Sequence, residues 1–272
     1  LALRVASALV LLAVAVAATL LGGDWFMALA ALGAVLILTE FLALVGETPG
    51  SGTSRLAYGL LAACIAMTVL SGPTIGLGAI LVSIAVLTWL ELAKRRRPWA
   101  GIGFAYAALP FLSLVVLRNS EPDGLIVVLF VFACVWAADT AAYFAGRAIG
   151  GPKLAPRISP KKTWAGFVGG LVGSALVATI LLLLFARNPG AAAIGAALAL
   201  SFASQMGDLF ESWIKRLFGK KDSSKLIPGH GGVLDRLDGL IFASVAAWLA
   251  GWAAGGSPED AGSALMGAIL LP

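Results

Sequence analysis

Two apolar stretches of the chain each carry an acid, a hydroxyl and a cation at helical spacing. Asp139, Tyr143 and Arg147 follow at i, i+4 and i+8, so one helical face would carry all three. Asp208, Ser212 and Lys215 repeat the arrangement, with Glu211 on the next turn. Such faces could be separate helix-end charge networks, or they could build one shared polar site. The second reading is favoured because long cationic loops begin where both faces end.

The first of these loops, 147–163, reads RAIGGPKLAPRISPKKT. Gly150, Gly151, Pro152, Pro156 and Pro160 exclude a helix through it. Ser159, Lys161, Lys162 and Thr163 immediately precede the next apolar run, with Thr163 placed to cap a helix. Cations and free amides at a helix N-terminus suit a phosphate, although a loop of this kind could also bind lipid headgroups electrostatically. The second loop, 214–237, holds Lys215, Arg216, Lys220, Lys221, Lys225 and Arg236, with Gly229, Gly231 and Gly232 for close backbone approach. Asp222, Asp235 and Asp238 lie among the cations. Carboxylates mixed with cations and glycines point to a nucleotide held through a divalent metal, because Mg²⁺ favours one or two carboxylates plus substrate phosphates. No Walker sequence GxxxxGK[ST] is present.

The elements that must position these residues are membrane helices. The chain is 60% apolar and 12% charged, with a mean hydropathy of +0.97, against about 25% charged in a soluble domain. Apolar runs of about 20 residues recur, enough to cross a bilayer. The fold class expected is an all-α polytopic integral membrane protein of about nine transmembrane helices. They fall near 5–22, 25–46, 56–71, 74–93, 99–117, 123–146, 164–186, 190–213 and 238–255. The first run has Ala-rich, signal-like features but is read as a retained span. Residues 1–122 form an N-terminal membrane region of five spans. Residues 123–272 form a catalytic membrane region of four spans, with the two cationic loops.

Of the 19 Lys and Arg residues, all but Arg118 and Arg187 fall on the side of the N-terminus in this topology. The positive-inside rule then makes the N-terminus cytoplasmic and places both loops in the cytoplasm. The net charge of +5 follows from this asymmetry and does not indicate nucleic-acid binding. Cys64 and Cys134 lie inside apolar spans and read as small core residues. Acids within spans are costly. Glu40 is read either as a hydrogen-bonded packing residue or as a functional group, and Glu91 as a salt-bridge partner of Lys94.

From Ser212 to Asp238 the chain reads SWIKRLFGKKDSSKLIPGHGGVLDRLD. This stretch resembles the signature of the membrane phosphatidate cytidylyltransferases, or CDP-diacylglycerol synthases. The matching positions are Ser212, Lys215, Arg216, Lys221, Asp222, His230, Gly231, Gly232, Asp235, Arg236 and Asp238. Asp139 to Gly150 (DTAAYFAGRAIG) and Ser159 to Gly166 (SPKKTWAG) look like two further stretches of that family. The second departs from the family pattern at Ala165, where an acid is usual. The resemblance is strong over 139–240 and general before that.

The resemblance implies transfer of the cytidylyl group from CTP to phosphatidate at the cytoplasmic face of the cell (inner) membrane, with release of pyrophosphate. It implies a two-cation site, Mg²⁺ with a second ion that is divalent or K⁺. Asp208 and Asp235 would be ligands, with Asp139 and Asp238 as further ligands or orienters. Lys215, Lys221 and Arg236 would hold the phosphates of CTP or pyrophosphate. Ser159, Lys161, Lys162 and Thr163 would hold a phosphate of CTP or of the lipid. Tyr143, Ser212, Arg216, Asp222, Gly231 and Gly232 join the substrate-binding set. His230 shapes the glycine turn or donates a hydrogen bond. The partners are CTP and membrane phosphatidate, with no nucleic acid, and a homodimer is left open. The competing classes are a CTP-dependent kinase of a lipid alcohol such as a polyprenol, and a secondary transporter. A transporter should show repeats with matching broken helices, and the chain shows none.

Overall fold

The computed structural model describes the chain apart from Leu1, Lys225, Pro228, Gly229, His230, Leu271 and Pro272, and apart from the side chains of residues 2–9 and 11. Its helices are α1 (Ala2–Leu21), α2 (Gly23–Leu44), α3 (Gly52–Ser71), α4 (Pro73–Ala93), α5 (Trp99–Asn119), α6 (Gly124–Ala148), α7 (Trp164–Leu184), α8 (Ala191–Leu217), α9 (Leu234–Ala253) and α10 (Ala261–Ile269). Two short strands, β1 (Lys153–Ala155) and β2 (Ser159–Thr163), pair antiparallel between α6 and α7. The all-α polytopic architecture is thus the one expected. Helices α1 to α9 fall on the nine expected spans, and seven of them, α2 to α8, are long and apolar enough to cross a membrane. The described side chains of α1 form a shorter apolar stretch, Leu12–Leu21. The first turns of α9 carry Asp235, Arg236 and Asp238. The hairpin and α10 are additions to the expected outline. The hairpin is short and interrupted by prolines, and α10, with 9 residues, is too short to span a bilayer.

The chain divides into two compact units, Leu1–Val116 with Phe218–Arg236, and Leu117–Leu217 with Leu237–Pro272. In the first, the buried rings include Phe41, Phe104 and Phe111, with Phe41 tilted against Tyr106 at 5.7 Å. Cys64 is buried, a hydrogen-bond distance of 3.5 Å from Ser83. Glu91 departs from its expected role. It is buried, and its carboxylate accepts the backbone N–H of Ala100 (2.8 Å) and of Gly101 (3.3 Å) at the start of α5. A carboxylate in that position satisfies helix-terminal donors that no intrahelical carbonyl can reach. The neighbouring exposed cation Arg96 pairs with Glu47 at 3.5 Å.

In the second unit α6 and α7 pack closely. A Cβ on Gly169 or Gly173 would lie 2.3 Å from the Cβ of Ala145 or Ala141, respectively. Small residues one turn apart allow this approach where two helices meet in a bilayer. The hairpin leads into α7 through Thr163, whose hydroxyl accepts the N–H of Gly166 at 3.1 Å, the N-cap expected from the sequence. Arg216, at the end of α8, donates to the carbonyl of Ile158 in the hairpin turn at 3.3 Å. The backbone N–H of Gly262 in α10 donates to Ser120 Oγ at 3.1 Å. Cys134 is buried and free.

Candidate active site

A cleft of about 440 Å³ opens in the second unit among α6, β2, α7 and α8. Asp139, Tyr143 and Arg147 line it from α6, as their spacing requires, and Arg147 Nη1 donates to Tyr143 Oη at 3.1 Å. Lys161, Lys162 and Thr163 come from β2, and Gln205 and Asp208 from α8. The strand brings consecutive cations to the cleft at the point where α7 begins. Lys162 Nζ lies 2.6 Å from Asp208 Oδ2, and Ser212 Oγ donates to Asp208 Oδ1 at 3.3 Å. Both partners of the ion pair are partly exposed, by 24% and 33% of their side chains, so a polyanionic ligand could reach them. Asp238, from α9, is within electrostatic range of Asp208, Asp139 and Lys162. It is brought there by close contact between α8 and α9, since a Cβ on Gly207 would lie 2.3 Å from the Asp238 carbonyl oxygen.

Two other residues singled out from the sequence belong to the same unit but not to the lining of the cleft. Lys215 is buried and held by Glu211 at 2.5 Å, one turn away on α8. That i, i+4 pair takes precedence over the alignment of Lys215 with Asp208. Ser159 is half-buried at the start of β2.

The loop residues of the first unit form a separate arrangement. Asp235, in the first turn of α9, accepts the N–H of Gly232 at 2.8 Å and the N–H and hydroxyl of Ser223, each at 3.0 Å. Its carboxylate therefore folds the segment back on itself. Lys221, Asp222 and Arg236 are exposed, and Gly231 takes a positive φ of 85°. His230 lies outside the described residues.

One residue is added by the structure, and a second, left open by the sequence, is given its partners. Gln205 is buried at the cleft, donating to the Phe167 carbonyl at 3.2 Å. Its signal in the sequence is a polar side chain one turn before Asp208. Glu40 accepts hydrogen bonds from the 218–236 segment, and its signal is an acid inside an apolar span.

Among the described residues, no group of three or more His, Cys, Asp or Glu is placed to hold a metal ion. The cleft has a different donor set. Asp238 is repelled by Asp208 and Asp139 and attracted by Lys162, which itself pairs with Asp208. Mg²⁺ completes its shell with water and phosphate and needs only one or two carboxylates from a protein.

The sequence pattern of the cytidylyltransferase family matches residues 2–253. A phosphatidate cytidylyltransferase of Brucella suis is 47% identical over 180 residues, covering 66% of each chain. One of Haemophilus influenzae is 44% identical over 175 residues, covering 59% of this chain and 60% of that one. One of Staphylococcus aureus is 39% identical over 166 residues, covering 60% of this chain and 64% of that one. The chain thus spans just under two thirds of the length of the Brucella relative. With the match running through both units, from α1 to the end of α9, the chain belongs to the cytidylyltransferase family.

Proposed function

We propose that the chain transfers the cytidylyl group of CTP to phosphatidate, forming CDP-diacylglycerol and pyrophosphate for phospholipid synthesis. The observation that carries this reading is the Lys162–Asp208 pair in a cleft lined by further cations, within a chain of this family. An oxygen of the lipid phosphate attacks the α-phosphorus of CTP. The bond from that phosphorus to the oxygen bridging to the β-phosphate breaks, and pyrophosphate leaves with the electron pair. The second pKa of a phosphate monoester is about 6, so the nucleophile is largely ionised at neutral pH and needs no base. The chemical difficulty is bringing polyanions together, which fixed cations relieve.

Lys161, Lys162 and Arg147 would bind phosphate oxygens, and Tyr143 would orient Arg147. Asp208, with Asp139 or Asp238, would hold Mg²⁺, which supplies charge neutralisation at the phosphates when bound. A second cation, divalent or K⁺, would share these acids. Lys221 and Arg236 would also hold phosphates of CTP. The site would face the cytoplasm from the inner membrane, in keeping with the distribution of Lys and Arg.

Purified protein in detergent, given labelled CTP, phosphatidate and Mg²⁺, should form a lipid-soluble cytidine product. Release of CDP with a phosphorylated lipid would replace this reading with a kinase. Orientation is checked by single cysteines in intact cells. A cysteine at Ser263 should react with an impermeant reagent and one at the exposed Leu226 should not, and the reverse pattern would invert the topology.

A further inference from the structure

Glu40 is 4% exposed in α2, an otherwise apolar helix apart from its first turn and Thr39. Its Oε1 accepts from Ser224 Oγ at 2.7 Å and from the N–H of Val233 at 2.9 Å. Its Oε2 accepts from Ser223 Oγ at 2.9 Å and from the N–H of Leu234 at 2.8 Å. Every one of these donors belongs to the 218–236 segment. Two are backbone groups at the start of α9, where unsatisfied N–H groups and the helix dipole favour an anion. The same end of α2 holds the segment a second time, through Lys220 Nζ and the carbonyl of Ala43 at 2.6 Å.

Gly232 has a matching role. A Cβ there would lie 2.3 Å from Glu40 Oε2 and 2.0 Å from Ser223 Oγ. Glycine is therefore required at this position by the approach of a carboxylate from the protein itself, whatever ligand the segment also meets.

We infer that Glu40 is a positioning residue, which holds Ser223, Ser224, Val233 and Leu234 in the arrangement that receives the CTP phosphates. The inference rests on the proposed activity for its ligand, but not for its geometry. The described part of the segment before α9 has little regular structure, a single bridge between Ile227 and Gly231. Ordering such a stretch on binding would cost conformational entropy. Hydrogen bonds to a buried carboxylate meet that cost in advance, and they leave the exposed Lys221 for the nucleotide.

Glu91 supplies the control. It is an equally buried glutamate that accepts the N-terminal N–H groups of α5. A purely structural effect of losing a buried cap would be common to both residues. Glu40→Gln places an amide NH₂ against groups that all donate. It should raise the apparent KM for CTP about tenfold, the scale of one lost charge-assisted hydrogen bond, and leave the KM for phosphatidate unchanged. Hydrogen exchange at Val233 and Leu234 should accelerate. Glu91→Gln should accelerate exchange at Ala100 and Gly101 and leave the CTP KM unchanged. Ser224→Ala, a milder change that removes one donor, should raise the CTP KM about threefold. Equal CTP effects of Glu40→Gln and Glu91→Gln would overturn the inference. So would an unchanged KM in Ser224→Ala should Glu40→Gln not fold. If the wild-type protein forms no lipid-linked cytidine, the proposed activity falls, and exchange alone decides the positioning role. Unaltered exchange over residues 223–235 in either variant would then refute it.

Discussion

Asp208 and Asp235 are the two carboxylates first expected to hold metal, yet in the structure they do opposite things. Asp208 faces a cleft, with a lysine on one oxygen and a serine hydroxyl on the other. Asp235 turns inward and accepts backbone and hydroxyl donors from its own loop. A carboxylate paired with a partly exposed cation can exchange that partner for a metal or a phosphate-bound cation. A carboxylate that accepts N–H groups is committed to the backbone, because each donor left unpaired costs about 1–3 kcal/mol. The contrast separates binding a ligand from shaping what binds it, and substitutions can test each side.

The largest effect is expected at Asp208. Asp208→Asn keeps the shape and removes the charge, so turnover should fall about 10³-fold, as for loss of a group that acts at the developing charge. Stability should change by less than about 1 kcal/mol, since the ion pair is partly exposed and screened. Steady-state kinetics and thermal unfolding in detergent check both halves. A variant with near-normal turnover at ordinary Mg²⁺ would remove Asp208 from the site.

Asp235→Asn should reverse the balance. The new NH₂ group would meet donors, so stability should fall by about 1–3 kcal/mol. A misplaced loop should lower kcat/KM for CTP about 10²-fold. If Asp235→Asn instead abolished turnover with unchanged stability and unchanged exchange in its loop, Asp235 would be acting on the ligand directly, and the contrast with Asp208 would dissolve.

How far this distinction could be read from the sequence depends on the range of the forces involved. The long helices were legible because a bilayer imposes a minimum apolar length. α1 to α9 accordingly coincide with the apolar runs. The face of Asp139, Tyr143 and Arg147 was legible because helical spacing is local, and all three line the cleft. Thr163 was legible as a cap for the same reason. The role of Glu91 was not. Its donors lie beyond a turn at the start of α5, whereas the adjacent Lys94 suggested a surface pair. The partners of Glu40 lie in a segment far along the chain. The acid was visible as an anomaly in an apolar run, but nothing local identifies which backbone groups a buried carboxylate will satisfy. Lys215 shows that local rules also compete. Alignment with Asp208 pointed to the cleft, and the nearer Glu211 claimed the ammonium.

A smaller effect is expected at Lys162, and it sharpens the cleft side of the comparison. Lys162→Ala removes the cation beside Asp208, and kcat/KM should fall about thirtyfold, within the range for one charge-assisted hydrogen bond. The informative measurement is the Mg²⁺ dependence. If Lys162 only compensates the clustered carboxylates, added Mg²⁺ will take its place and restore the rate. If it also holds a phosphate, saturating Mg²⁺ will leave most of the loss in place, which is the result expected.

The smallest effect belongs to Lys221, on the loop side. The residue is exposed, so a contact with a CTP phosphate would be made in high dielectric and screened by salt. Lys221→Ala should therefore raise the apparent KM for CTP only about threefold, at the upper end of an exposed ion pair. The difference from wild type should shrink as ionic strength rises. Preference among phosphatidates of different chain length should not move, because a phosphate contact does not sense the lipid tails. A change in acyl preference with unaltered CTP kinetics would mean that the loop meets the lipid. Asp235 would then be shaping a lipid-facing element, and the division of labour drawn between the two carboxylates would have to be redrawn around phosphatidate instead of CTP.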